Sequence, residues 1–328
     1  MAIQVTLIGL GQVGASIGMA LAEQKDKIYR VGHDKEFNVE REAQKKNAID
    51  KAEHNLPRAV EDSRLVVLSL PASQVRDTLE FIAQDLQDGT VILDMSPFKV
   101  GVAEWAKELL PEGCYYVGIV PTVGPTFLNI DGKGLESAKA DLFAKSIFFV
   151  AAPQGTPGEA VELASNFVSL IGATPMLADI HEVDGFLSAA HLLPQLASVA
   201  LLNATLDQPG WNDARKIAGR VYAATTTAIE FDDSASLQVT SLQNRTNITY
   251  ALDVYIAALR GLRDDIANGD TESLAERLKS AQTGRDRWLG EHFTASWDDT
   301  RQPAPSEYPS LSERLFGALT GKRANKKK

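Results

Sequence analysis

The sequence predicts an α/β chain in which an N-terminal doubly wound parallel sheet is followed by an all-helical domain. Three observations predict it. The first residues run from an apolar strand through a glycine turn into a helix. Short apolar runs then alternate with helix-length stretches to about residue 178, the pattern of a parallel sheet with helices on both faces. From His181 onward the strand signals stop and long helical patterns take over.

The opening strand is Val5-Thr6-Leu7-Ile8, which leads into Gly9-Leu10-Gly11-Gln12-Val13-Gly14 and a helix over Ala15 to Gln24. Gly9 allows the tight turn, Gly11 lets the backbone approach phosphates, and Gly14 lets the helix pack close to the strand. This Rossmann-like order seats a dinucleotide pyrophosphate on free amides at the positive end of the helix. Gly9, Gly11, Gln12, Val13 and Gly14 are therefore the candidate cofactor-binding residues. A strand over Ile28 to Gly32 leads to Asp34, twenty residues beyond Gly14. An acid there accepts hydrogen bonds from the adenosine ribose hydroxyls and repels a 2'-phosphate, which favours NAD over NADP. Lys35 keeps NADP open. The competing reading is a glycine turn in an unrelated sheet, with Asp34 a solvated loop acid.

A polar helix, Phe37 to Lys46, precedes the strand Leu65 to Leu70, which ends at Pro71. A helix over Gln74 to Gln84, a strand over Thr90 to Asp94 and a helix over Val102 to Leu109 follow. Tyr115 to Val120 and Ser146 to Val150 read as strands, Gly158 to Ile171 as a helix, and Thr174 to Ala178 as the last strand. Ligands of such sheets bind at the carboxyl ends of the strands, which places Pro71, Ser96 and Pro121 at the crevice. Leu70, Pro71 and Pro121 join the cofactor candidates.

In the second half the clearest pattern is one helix from about Ser236 to Ala267, with Leu237, Leu242, Ile248, Leu252 and Leu259 recurring at mostly three- to five-residue steps. A helix of that length cannot hide both faces inside a small domain, so a second copy of the chain is expected against it. Pro303 to Pro309 reads as a linker, and Leu311 to Lys328 as a short amphipathic piece with a basic end. The expected division is a dinucleotide domain over 1–180, a helical substrate and dimerisation domain over 181–302, and a linker and tail over 303–328.

Composition sets the outer bounds. The chain has 328 residues, 44% of them hydrophobic, enough for two domains with separate cores. Its 43 acidic and 33 basic residues give a net charge of −10, which repels a phosphate backbone and argues against nucleic acid as a partner. The single cysteine, Cys114, excludes an intramolecular disulfide, fits a reducing compartment and reads as a half-buried strand residue. No basic segment precedes an apolar stretch at the N-terminus, and no uninterrupted apolar run of membrane-spanning length is expected. The chain reads as cytoplasmic, and no metal ligands are assigned.

Several segments carry a resemblance. Besides the glycine turn there are Leu70-Pro71, Asp94-Met95-Ser96-Pro97-Phe98-Lys99, Gly118-Ile119-Val120-Pro121-Thr122-Val123-Gly124, Ala140-Asp141-Leu142-Phe143, His191-Leu192-Leu193-Pro194-Gln195 and Asn244-Arg245 leading to Leu252. In this order and spacing, over roughly residues 3 to 268, the chain resembles the prephenate/arogenate dehydrogenase family. The resemblance implies a nucleotide domain, an all-helical dimerisation domain and an oxidative decarboxylation of a small carboxylic acid. In that reaction NAD(P) takes a hydride from the ring carbon bearing the hydroxyl, a histidine holds that hydroxyl, and loss of CO2 makes the ring aromatic.

The same resemblance places hydrocarbon where the family carries its catalytic groups. The family's His-Pro-x-x-Gly histidine falls on Val120, and a second, in a His-Asp pair, on Val183 beside Asp184. The His-Leu-Pro-His segment becomes Leu192-Leu193-Pro194-Gln195, the serine of Asp-x-x-Ser-x-Lys becomes Pro97, and Thr226-Thr227-Ala228 stand near the position of a substrate-binding arginine. Without a histidine the acid/base step loses a factor of roughly 10² to 10⁴. His191, Ser96 and Lys99 are the candidates to act instead. Two of them have a plainer reading, His191 as a satisfied core histidine and Lys99 as a solvated helix-start lysine, and Asp184 reads as a cap or pair within the helical domain and not as a base. Three functions stand at this point: a prephenate or arogenate dehydrogenase with a rearranged site, a dehydrogenase of another small acid, and an NAD(P)-binding dimer without catalysis.

Overall fold

A computed structural model describes residues 2–128 and 132–294. Eight strands form one sheet in the order β3-β2-β1-β4-β5-β6-β7-β8. These are β1 Ile3–Ile8, β2 Ile28–His33, β3 Lys51–Ala52, β4 Ser63–Leu68, β5 Val91–Asp94, β6 Tyr115–Val120, β7 Ile147–Ala151 and β8 Thr174–Leu177. The chain reverses between β1 and β4, so their carboxyl ends open the crevice at which such sheets bind ligands. Val66, Val67 and Leu68 of β4 are wholly buried, as a strand covered on both faces requires.

The helices on the sheet are α1 Gln12–Ala20, α2 Phe37–Lys45, α3 Leu56–Val60, α4 Ala72–Ile82, α5 Val100–Leu109 and α6 Gly158–Leu170. One core packs Ile17 of α1 and Phe167 of α6 against Leu7, Val67 and Leu93. The other packs Val75 and Leu79 of α4 and Val102 of α5 against Ile8, Val66 and Leu68. Under the first face the guanidinium of Arg30, wholly buried in β2, holds Asp50 Oδ1 at 2.6 Å and the Gly18 carbonyl at 2.7 Å.

Two features depart from the sequence expectation. The sheet is not all parallel, because β7 runs antiparallel to β6. Among its described residues the connection between them carries two 3₁₀ turns, Pro125–Phe127 and Leu135–Ser137, and no helix of the kind that makes a parallel crossover. The short β3 and α3 also went unpredicted; two residues of strand and five of helix leave no periodicity to read, although Asn55 caps Arg58 of α3 at 3.0 Å.

Beyond β8 the chain is helical: α7 Ile180–Leu187, α8 Leu193–Thr205, α9 Trp211–Ala214, α10 Arg220–Thr226, α11 Ser234–Gln243, α12 Arg245–Asn268 and α13 Thr271–Thr294. A π turn, Ser188–Leu192, joins α7 to α8. Pro194 has no N–H to donate to the preceding turn, and the helix widens just ahead of it. The expected single helix over 236–267 is two. Asn244 breaks it because its Nδ2 donates to the Asp184 carbonyl and to Ser188 Oγ, both at 2.8 Å.

Among the described residues one helical stretch, Ile180–Thr205 of 26 residues, contains an 18-residue window of mean hydropathy 1.5, enough by length and composition to cross a bilayer, although polar residues such as Asp184, His191 and Gln195 interrupt it. Its Ser188, Gln195 and Ser198 are buried and hydrogen-bonded inside the protein, which accounts for the polar positions along it. Cys114 lies in the turn before β6, and its thiol donates to the Gln87 carbonyl. The linker and basic tail expected after residue 302 lie outside the described residues.

Candidate functional site

The glycine turn has the geometry of a phosphate cradle. Gly9 sits at φ +90°, and a Cβ there would run into the Ser69 carbonyl oxygen. A Cβ on Gly14 would run into the carbonyl of Gly9, whereas one on Gly11 would meet nothing within 4 Å. The space above Gly11 is therefore open and that beneath Gly9 and Gly14 is filled. α1 begins at Gln12 with no side-chain cap and no acidic residue in its first turn, so its first amides are left for an anion.

Asp34 stands at the carboxyl end of β2. Its Oδ2 accepts the Leu10 amide of the glycine turn at 2.9 Å and its Oδ1 the Glu36 amide at 3.0 Å. Each oxygen keeps a lone pair for a ribose hydroxyl. Leu70 borders Gly9, and Pro71 leads into α4. Val13 packs on the first core, and Gln12 reaches toward the Ser137 carbonyl at 3.5 Å. Pro121 follows β6 and is half-buried. These residues fit a dinucleotide: a cradle, an uncapped helix start and a ribose acid lie on adjacent strand ends.

A second group is buried beside the end of β5. Lys99 is wholly buried, and its Nζ donates to the Asp94 carbonyl at 2.9 Å, to Asp94 Oδ2 at 3.0 Å and to the Ser96 carbonyl at 2.6 Å. Ser96 Oγ donates to Asp94 Oδ2 at 2.8 Å, and Tyr116 Oη to the same oxygen at 3.2 Å. Burial pushes the Lys99 ammonium down, against the charges of Asp94 and Asp184. Burial and the charge of Asp94 push the Tyr116 phenol well up. The solvated-lysine reading of Lys99 is thereby corrected: all three ammonium hydrogens are taken by the loop it closes. Asp184 caps, but not within its own domain. Its carboxylate accepts the amides of Lys99 and Val100 at the start of α5.

The third group surrounds His191 in the π turn. His191 Nε2 lies 2.9 Å from Asp232 Oδ2, and Gln195 Nε2 donates to that oxygen at 2.8 Å. The Asp232 amide donates to Gln195 Oε1 at 3.3 Å, which fixes the orientation of the Gln195 side chain. With Asp232 as its acceptor, His191 Nε2 is the ring nitrogen assigned the hydrogen, although Gln195 Nε2 also stands 3.2 Å from it; in the neutral ring that assignment puts the lone pair on Nδ1. Burial pushes the Asp232 carboxyl up, but the hydrogen bond and charge of His191 and the Gln195 amide outweigh it and hold it below the ordinary aspartate value. The imidazole is 35% exposed, so it is neither a sealed core residue nor a free one.

Two contacts carry the helices over the sheet ends. Ser236 Oγ meets the Ser73 amide at the start of α4 at 3.3 Å, and Lys133 hydrogen-bonds the Glu230 carbonyl, two residues before Asp232. Sequence reasoning missed Asp232, Tyr116 and the role of Gln195. The signal for Asp232 was weak: Asp232-Asp233-Ser234 reads as a helix cap, which Asp233 does provide to Ser236 at 2.9 Å. Val120 is half-buried on the second core, and Val183 is 1% exposed.

A parallel-dominant sheet with this glycine turn, followed by a helical domain, defines an NAD(P)-dependent dehydrogenase. Residues 17–177 match the family model described as the nucleotide-binding domain of prephenate dehydrogenase, and residues 179–280 match the one described as its dimerization domain. The chain belongs to the prephenate dehydrogenase family. It is 24% identical over 285 residues to a cyclohexadienyl dehydrogenase of Zymomonas mobilis subsp. mobilis, covering 86% of this chain and 94% of that one. A probable prephenate dehydrogenase of Streptomyces niveus is 27% identical over 275 residues, 82% of this chain and 71% of that one. Among solved structures, the fold is shared with prephenate dehydrogenase from A. aeolicus in complex with hydroxyphenyl propionate and NAD+, at a TM-score of 0.77 and 19% identity, covering 88% of this chain and 99% of that one. Synechocystis arogenate dehydrogenase follows at a TM-score of 0.68 and 20% identity, covering 87% of this chain and 100% of that one.

Proposed function

We propose that this chain oxidises a small cyclohexadienyl acid of the prephenate or arogenate type with NAD(P), NAD favoured, and that His191 serves as its proton acceptor. The observation that carries this reading is the Asp232–His191 pair, held at 2.9 Å in the helical domain, whose nearby Ser236 meets the start of α4. A carboxylate on Nε2 fixes the tautomer and orientation of the ring and stabilises its charged form, so Nδ1 is the basic atom. Nδ1 of His191 takes the proton of the ring hydroxyl as the C–H bond at that carbon is broken. It returns the proton to the phenolate oxygen once the carboxylate has left as CO2 and its bonding electrons have entered the ring. When bound, the nicotinamide ring accepts the hydride. Gly11 and the first amides of α1 hold the pyrophosphate, and Asp34 the ribose. Ser96 and Lys99 act as positioning residues, because their polar hydrogens are spent inside the loop 94–99.

The replacement of two family histidines by Val120 and Val183 favours a second reading, a dehydrogenase of a different small carboxylic acid. Turnover separates them. Under the first, the purified protein reduces NAD or NADP with prephenate or arogenate and His191→Ala slows it by roughly 10²- to 10⁴-fold. No reduced coenzyme from either ring substrate rejects that reading.

We divide the chain at residue 180 and pair it with a second copy through the helical domain. Tyr250, Val254, Leu259 and Ile266 of α12 are exposed, and α13 buries no residue, which supports an apolar partner surface of the same chain. The free thiol of Cys114 suits a reducing compartment, and we place the chain in the cytoplasm.

A further inference from the structure

A set of side chains able to ligate gathers at the carboxyl end of β2, beside Asp34. Glu40, in the first turn of α2, is wholly buried. Its Oε1 accepts the Asp34 amide at 3.0 Å and lies 3.1 Å from His54 Nδ1 and 3.4 Å from His33 Nδ1. Its Oε2 is 3.2 Å from His54 Nδ1. The donor atoms of the three residues all fall within 4.8 Å of one another. His33 forms the inner wall with 14% of its side chain exposed, and His54 the mouth with 54%. Phe37 meets the His54 ring edge-on at 5.8 Å and limits its swing.

A carboxylate removed from water needs a cation or a full set of donors. Among the described residues no lysine or arginine pairs with Glu40; its ion-pair partners are these two imidazoles. The spacing suits a metal ion. With bonds of about 2.0–2.1 Å to imidazole nitrogen and carboxylate oxygen, the donors of a tetrahedral centre stand about 3.3 Å apart. The contacts of 3.1 and 3.4 Å bracket that value. Two neutral nitrogens and one anionic oxygen are the donor set of a zinc-class ion, not of magnesium or calcium.

We propose that His33, Glu40 and His54 bind one divalent transition-metal ion of the zinc class, with a fourth position open on the His54 side. In the ion-free protein His33 Nδ1 also faces the Glu53 carbonyl at 3.1 Å. On binding, both Nδ1 lone pairs go to the ion and each ring hydrogen sits on Nε2, so neutral imidazoles release no net proton. The Glu40 carboxylate keeps the Asp34 amide through the same oxygen, tying the ion to the turn that carries the ribose acid. The site stands whether or not the coenzyme reading holds.

The test is titration of the chelator-stripped full chain with Co²⁺, whose visible absorption reports a tetrahedral nitrogen and oxygen centre, followed by displacement with Zn²⁺. One equivalent is expected to bind the unaltered chain. His54→Ala, at a half-exposed position that the fold tolerates, is expected to weaken binding at least about tenfold, and Glu40→Gln likewise. Cys114→Ser is expected to leave the spectrum unchanged. Failure of the unaltered chain to take up one equivalent at about 100 μM metal overturns the proposal, as does undiminished binding by His54→Ala.

Discussion

The carboxylate of Asp184 caps the helix that begins at Val100: Oδ2 accepts the Val100 amide at 3.0 Å, while Oδ1 accepts the Lys99 amide at 2.6 Å. One side chain of α7 therefore completes the start of α5, on the sheet. Burial pushes this carboxyl up, against the pull of those two amides. Asp184→Ala leaves both buried donors without a partner and is expected to cost about 1–3 kcal/mol of stability. Urea unfolding checks it, and an unchanged midpoint contradicts the capping role.

The Asp232–His191 pair predicts a split between kcat and KM. Asp232→Asn keeps the shape but offers the ring a different partner, so kcat is expected to fall on the order of 10²-fold or more while KM changes little. Stopped-flow measurement of reduced coenzyme with the ring substrate reads both. A loss confined to KM points to substrate binding and against proton transfer.

Two glycines two residues apart are expected to behave differently. Gly9→Ala forces a side chain at φ +90° into the Ser69 carbonyl, so the protein loses stability or does not fold. Gly11→Ala folds, because its Cβ meets open space, and loses coenzyme affinity because a methyl group occupies the phosphate's approach. Thermal melts paired with NAD titration separate the two, and normal NAD affinity in a folded Gly11→Ala protein moves the pyrophosphate elsewhere.

Acid stability follows from Asp50. Burial pushes its carboxyl up, but the hydrogen bonds and charge of Arg30 outweigh that and leave it below the ordinary aspartate value. A depressed folded pKa gives stability that is present above the unfolded value near 3.9 and is lost as pH falls through the folded one. The unfolding midpoint is expected to drop in that acid window, with a shallower drop in Asp50→Asn, which starts from lower stability because Arg30 is left buried with half its partner. Equal slopes in the two proteins contradict the pairing.

Much of this was legible because it is local. The glycine turn, Asp34 and the apolar strands each announce themselves within a few residues, since turn sterics and burial act at short range. What was not legible depends on pairing across long separations. The reversal of β7 is set by a connection whose described residues hold no helix, and the break at Asn244 by hydrogen bonds to Asp184 and Ser188, some sixty residues earlier in the chain. The reach of Asp232 to His191 has the same origin, whereas Lys99 pairs with Asp94 only five residues away and was hidden by its burial, which the local sequence does not reveal.

The widened turn at Ser188–Leu192 has a consequence for descent. A helix with a π turn holds one residue more than its tight counterpart over the same length. Deleting Ala189 or Ala190 would restore the ordinary pitch and swing His191 about 100° around the axis, away from Asp232. A lineage could thus gain or surrender its imidazole by a single-codon insertion or loss, with no substitution at the position itself. Relatives counted residue by residue across this bend would then put equivalent chemistry under different letters.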